Sequence, residues 1–173
     1  MSGLDLRVAE ATGGDADLLD RLFELYAYDF SDLLELDLSP AGRYIPAGYR
    51  QGGDAVRSWL LHANGHPAGF AIASPGSVID DCSDVWDMRE FFVVRRYRRI
   101  GAGSHLALTV WRDQPGTWDI RVIESNRPVL AFWERTVARA GGRILTSRLA
   151  LNTRNGKREH VLRFETQPHR VRP

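Results

Sequence analysis

The sequence predicts one α/β domain over residues 1–173, with an ordered core from about 4 to 166 and a mixed sheet of six or seven strands flanked by about four helices. Three observations carry this. Residues 84–140 read strand, helix, strand, helix, an order that requires parallel pairing somewhere in the sheet. Two Asn-Gly pairs, Asn64-Gly65 and Asn155-Gly156, separate apolar runs as hairpin turns do. No repeat, low-complexity tract or long linker divides the chain.

Element by element, Leu4, Leu6 and Val8 alternate with polar residues up to Ala11 and form a half-buried strand. Asp15 or Asp17 caps a helix that carries Leu18, Leu19, Leu22, Phe23, Leu25 and Tyr26 at helical spacings and runs to about Ser31. Pro40 to Gly53, bearing Tyr44 and Tyr49, is a loop or short irregular helix. Strands at about Ala55–His62 and Pro67–Ser74 flank the Asn64-Gly65 turn. Asp84–Val94 is a strand, Ser104–Arg112 a helix and Trp118–Glu124 a strand. Asn126–Ala140 is a helix, with Pro128 in its first turn and Gly141-Gly142 as its stop. Arg143–Asn152 and Lys157–Thr166 close the chain as a second hairpin.

Composition narrows the function classes. With 43% hydrophobic residues, 23 basic and 22 acidic side chains, the chain is ordinary for a soluble globular protein. At this size roughly 70% of the unfolded surface becomes buried, so the core needs no disulfide or metal staple. The lone Cys82 suits a reducing compartment, and the acid-rich start is read as carrying no signal peptide, so the cytoplasm is expected. No stretch is apolar enough to span a membrane. His62 and His66 are separated by a turn rather than a helix, so no metal is expected. Charge is uneven: residues 1–40 hold ten acidic against two basic side chains, and residues 121–173 hold twelve basic against four acidic. Such a split can steer charged ligands to different regions.

The segment Glu90–His105 carries the most chemistry. An apolar strand ends at Val94, and Arg95, Arg96, Arg98 and Arg99 crowd the entrance of a helix beginning near Gly101. A helix N-terminus carries about half a positive charge, so each such cation costs on the order of 0.3–1 kcal/mol unless an anion sits there. Gly101 and Gly103 let that anion approach the backbone. Gly103-Ser104-His105 fails the Gly-Lys-Ser/Thr requirement of a P-loop. A dinucleotide fingerprint would want Gly where Leu106 stands, although Glu124 lies at a plausible distance for its ribose acid; that alternative stays open.

The segment resembles the acetyl-CoA signature of the GNAT superfamily of N-acetyltransferases, Arg/Gln-x-x-Gly-x-Gly/Ala, matched by Arg98-x-x-Gly101-x-Gly103 after an apolar strand. Downstream, Asn126 followed by Phe132-Trp133 is similar to the superfamily's second signature, and the element order fits from Leu4 to Thr166. The resemblance implies a sheet splayed centrally between the Val93 and Ile120 strands, with acetyl-CoA as cosubstrate and no metal. Backbone groups of Phe92, Val93 and Val94 would pair with the pantetheine arm, and amides from Arg99 through Ile100, Gly101, Ala102 and Gly103 to Ser104 would hold the pyrophosphate. Arg98 would neutralise phosphate charge, and Asn126 and Trp133 would touch the pantetheine. Dimers are common in the superfamily, so a homodimer is compatible.

Acetyl transfer to an amine needs that amine neutral. At a pKa near 10.4, only about one molecule in a few thousand is neutral at pH 7, a disadvantage of roughly 4–5 kcal/mol. Glu90 or Asp87 would act as base, Glu90 being favoured because it sits deep in an apolar run, and a backbone N–H near Val93 would meet the oxyanion. Trp133 stands where many members place a Tyr that protonates the leaving thiolate; the departure leaves the general acid open, with water or Tyr97 in its place. Tyr26, Asp29 and Glu35, on an acidic helix and loop, would select a small cationic amine or peptide amine as acceptor. The rivals are a non-catalytic acyl-CoA sensor and a nucleic-acid-binding module; the latter lacks aromatic interleaving.

Overall fold

The computed structural model describes residues 4–44, 55–152 and 155–166. Tyr49 and most of the loop expected over Pro40–Gly53 lie outside them. The chain folds as β1 (Leu6–Glu10), α1 (Ala16–Leu34), β2 (Arg57–Ala63), β3 (His66–Pro75), β4 (Trp86–Val93), α2 (Ala102–Asp113), β5 (Thr117–Ile123), α3 (Arg127–Arg139), β6 (Arg143–Leu151) and β7 (Arg158–Glu165). Two single 3₁₀ turns, Gly13–Asp15 and Arg95–Tyr97, complete the described helical segments. The seven strands form one sheet in the order β1-β2-β3-β4-β5-β7-β6.

The β2–β3 turn is what Asn-Gly chemistry demands, with Asn64 at φ 50° and Gly65 at φ 77°. Helix α1 runs beyond Ser31 to Leu34 because Glu35 takes a left-handed conformation at φ 55° and its N–H returns to the Ser31 carbonyl. Asp15 does not cap α1. Its Oδ2 instead accepts from the Thr12 N–H at 2.8 Å and the Thr12 hydroxyl at 2.9 Å, tightening the preceding turn.

The sheet divides the core in two. On one face, Trp59, Leu61, Ala71, Met88 and Val93 pack with Leu106, Val110 and Val137 from α2 and α3. On the other, Leu60, Phe70, Ile72 and Phe92 pack under Leu19, Leu22 and Phe23 of α1. The neighbouring strands on that second face carry Asp119 and Arg121 of β5 and Glu159 and Arg163 of β7.

The only parallel pairing among the described residues is short. β4 meets β5 over Trp86–Met88 against Trp118–Ile120. From Arg89 onward β4 pairs with β3 alone, and from Arg121 onward β5 pairs with β7 alone, so the sheet opens between them. This is the central splay that the resemblance implies.

Gly69 fixes how closely β3 and β4 approach. A Cβ there would stand 2.2 Å from the Phe92 carbonyl oxygen, a backbone atom that cannot swing aside. Gly69→Ala is therefore expected to cost about 3 kcal/mol by overpacking, read as a lowered urea midpoint at unchanged m. A midpoint equal to wild type would contradict the close approach.

Candidate active site

A bulge in β4 decides which side chains reach the opening. The register slips between Ile72 and Ala73, which pair with Glu90 and Met88, leaving Arg89 as the extra residue. Met88 and Phe91, three apart, consequently share the α2/α3 face. Asp87 and Arg89 line a cavity of about 360 Å³ with Ser74, Gly76 and Ser77, and Glu90 meets Tyr26 of α1.

The two candidate bases have different surroundings. Burial pushes the Glu90 carboxyl up, while a hydrogen bond with the Tyr26 hydroxyl and the charges of Arg121 and Arg89 act in the opposite direction. Tyr26 is itself raised well above the ordinary phenol range, by burial first and by Glu90 second. Asp87, 1% exposed, is gripped by Arg121 through bonds of 3.0 and 2.9 Å. Burial raises Asp87 and the guanidinium pulls it down. Arg121 also lies 3.6 Å from Glu159, whose carboxylate accepts from the Asn152 and Asn155 amides. The geometry thus makes Asp87 a partner in a buried ion pair and leaves Glu90 as the carboxyl without one among the described residues. Arg121 pairs with Asp87 rather than with Glu90, because the bulge turns Glu90 towards α1.

The arginine turn is partly neutralised from within. Arg95 Nε donates to Asp29 at 3.0 Å, and the Arg98 guanidinium also pairs with Asp29, while Arg98 Nε donates to the Val93 carbonyl at 2.6 Å. Arg98, expected as a phosphate ligand, and Asp29, expected as an acceptor contact, pair with each other. Arg98 ties the turn to α1 and the end of β4. Arg96 and Arg99 are exposed and make no ion pair among the described residues. Arg99 at φ 64° and Gly101 at φ 91° wind the chain into α2. The first amides of that helix, at Ala102, Gly103 and Ser104, have no intrahelical acceptor. Ile100 is half exposed on the same turn.

Backbone direction corrects two more expectations. The Val94 N–H donates to the Ala68 carbonyl and its own carbonyl accepts from Tyr97, both at 2.8 Å, so both main-chain groups of Val94 are engaged within the protein. By strand alternation Phe92 also points its groups at β3, and the Val93 N–H faces the opening. Across the gap, Asn126 heads α3 and its side chain makes no capping hydrogen bond. Trp133 is 3% exposed and wedged among Phe91, Phe132 and Trp111 at centroid distances of 4.6, 4.9 and 6.1 Å, so its rings form part of the core. Phe132 packs on Gly103, where a Cβ would come within 3.2 Å of the ring.

Of the acceptor candidates, Tyr26 joins Glu90, Asp29 joins the arginines, and Glu35 is exposed with Lys157 Nζ 3.4 Å away. Among the described residues no group of three metal-ligating side chains gathers, and no helix is long and apolar enough to cross a membrane. The cavity residues Ser74, Ser77 and Arg89 were missed in sequence, since only the bulge and the turn after β3 bring them together.

The fold has solved counterparts. The ribosomal-protein-S18-alanine N-acetyltransferase of Escherichia coli is 16% identical, with 98% of this chain and 99% of that chain covered and a TM-score of 0.60. For yncA of Salmonella typhimurium, solved with its cofactor acetyl-CoA, the values are 13%, 98%, 98% and 0.62. For Arabidopsis thaliana NAA60 in complex with acetyl-CoA they are 13%, 93%, 98% and 0.57. No curated protein matches the chain. The family model for the acetyltransferase (GNAT) family matches residues 19–137, more than half of the 173 residues, and the chain therefore belongs to that family.

Proposed function

We propose that this protein transfers an acetyl group from acetyl-CoA to the nitrogen of a primary amine by direct attack in a ternary complex. The observation that carries the reading is the opening of the sheet beyond Met88 and Ile120, flanked at its wide end by the free amides that start α2. An extended pantetheine arm would lie along the unpaired edge of β4, where the Val93 N–H is exposed to it. The Ala102, Gly103 and Ser104 amides, with Arg96 and Arg99, would hold the pyrophosphate, and Asn126 would reach the arm from α3. The lone Cys82 and the family's chemistry support a reducing, cytoplasmic setting.

In this reading Glu90, directly or through one water, takes the proton from the acceptor ammonium. The freed nitrogen attacks the thioester carbonyl, and the Val93 N–H stabilises the charge that develops on its oxygen. As the C–S bond breaks, the nitrogen releases its second proton to solvent and solvent protonates the departing thiolate, because Trp133 is buried and indole has no proton to give at neutral pH. Tyr26 and Arg121 hold Glu90 partly towards its charged form against burial.

Acetyl-CoA at a hundredfold over its dissociation constant should stabilise the protein by about 2.7 kcal/mol, a rise of roughly 5–10 °C in Tm for a chain of this size. Calorimetry gives the affinity, and thiol release in the presence of amines gives turnover. No shift and no heat with acetyl-CoA would end the assignment. The acyl-CoA sensor is the second reading, favoured by the core position of Trp133; it predicts binding with no thiol release on any amine.

A further inference from the structure

The acceptor should bind where β4 leaves β5, because that is where a thioester laid along the open edge would end. Arg89 is the first residue past the last paired one, Met88, and the bulge sets it beside the cavity of about 360 Å³. That volume suits a small molecule rather than a protein surface. Ser74 and Ser77 also line the cavity, the Ser77 hydroxyl donating to Asp119 at 2.7 Å.

Charge at this place is distributed unequally. Both oxygens of Asp87 are taken up by Arg121, Asp119 and Asp80 are paired with Arg163, and Asp80 also with Arg148. Arg89 makes no ion pair and no hydrogen bond among the described residues. A guanidinium at a half-buried cavity wall with its donor fork unused is a receptor for a planar anion, carboxylate above all. Its chain neighbour Glu90 is an acid without an ion-pair partner. Arg89 faces the cavity and Glu90 faces Tyr26, yet the Arg89 charge is near enough to act on the Glu90 carboxyl.

We propose that Arg89 anchors a carboxylate of the acceptor, and that the acceptor is an α-amino acid or a similar small zwitterion whose ammonium is directed to Glu90. This rests on the acetyltransferase reading and replaces the cationic acceptor expected from the acidic segment, since Asp29 is held by Arg95 and Arg98. The Arg89 fork takes the carboxylate, Ser74 borders it, and Glu90 receives the ammonium proton before attack.

The test measures acetyl transfer to proteinogenic L-amino acids, to their carboxamides and to the corresponding decarboxylated amines, with wild type, Arg89→Gln and Arg89→Lys. Wild type should prefer the free acid. Arg89→Gln should raise KM for the acid by on the order of tenfold to a hundredfold and erase the preference, with Arg89→Lys recovering part of it. Acetyl-CoA affinity by calorimetry serves as the control for folding of each variant. Equal use of acids and carboxamides by wild type, equal losses on both in Arg89→Gln, or acetyl-CoA binding without transfer to any member of the panel would each overturn the proposal. Absence of acetyl-CoA binding in wild type would overturn the parent reading with it.

Discussion

Replacing Glu90 by Gln is expected to lower kcat by about 10²- to 10⁴-fold, the usual worth of a positioned general base. The size follows from the acceptor: at neutral pH only about one lysine-like amine in a few thousand is uncharged, and a base recovers part of that deficit at the moment of attack. Glu90 suits the role because burial raises its carboxyl above the ordinary 4.5. The base must be ionised, so kcat/KM should fall as pH drops through an acid limb lying above that value. Glu90→Gln should flatten the limb. Tyr26→Phe should move it upward, because the Tyr26 hydrogen bond favours the carboxylate. Stability should move against activity. A carboxyl raised in the fold contributes most below its unfolded pKa and loses that contribution as pH climbs through the folded value, so Glu90→Gln should be the more thermostable protein at neutral pH. Full rate in Glu90→Gln with an unchanged acid limb would move the base elsewhere.

Much of this fold was legible because local rules and the global arrangement agree. Asn64-Gly65 forces its turn, and strand-helix-strand over Trp86–Ile123 forces the parallel contact of β4 and β5. What escaped was set by groups far apart in sequence. Asp29 and Arg98 lie 69 residues apart, and nothing in either neighbourhood announces that α1 supplies the counter-ion for the turn. Part of the counter-charge inferred from the arginine cluster is therefore protein: Asp29 pairs with both Arg95 and Arg98. The choice between Glu90 and Asp87 hung on one extra residue in β4. A bulge inverts side-chain alternation beyond it without leaving a composition signature, so periodicity alone gave the strand but not its faces. Trp133 was half legible, its departure from Tyr being visible in sequence and its burial among Phe91, Phe132 and Trp111 only in three dimensions.

Removing Arg121 should be the most damaging change for the fold. Arg121 bridges the two strands just past the point where their pairing stops, holding Asp87 of β4 by two hydrogen bonds and lying 3.6 Å from Glu159 of β7. Asp87 at 1% exposure cannot turn to water. Arg121→Met therefore strands a buried carboxylate and should cost about 3–5 kcal/mol at neutral pH, whereas taking both charges away costs far less. Asp87→Asn combined with Arg121→Met should accordingly recover most of the loss, a coupling that independent sites would not show. The pH dependence has a definite sign. Without Arg121 nothing opposes the burial that raises Asp87, so the folded variant binds a proton more readily than its unfolded chain and gains stability as pH falls. Urea midpoints of wild type and Arg121→Met should converge towards acid and separate towards neutral pH. A loss below about 1 kcal/mol that stays constant with pH would mean the pair is solvated, and that the hydrogen bonds of Trp86–Met88 to Trp118–Ile120 alone hold the narrow end of the opening.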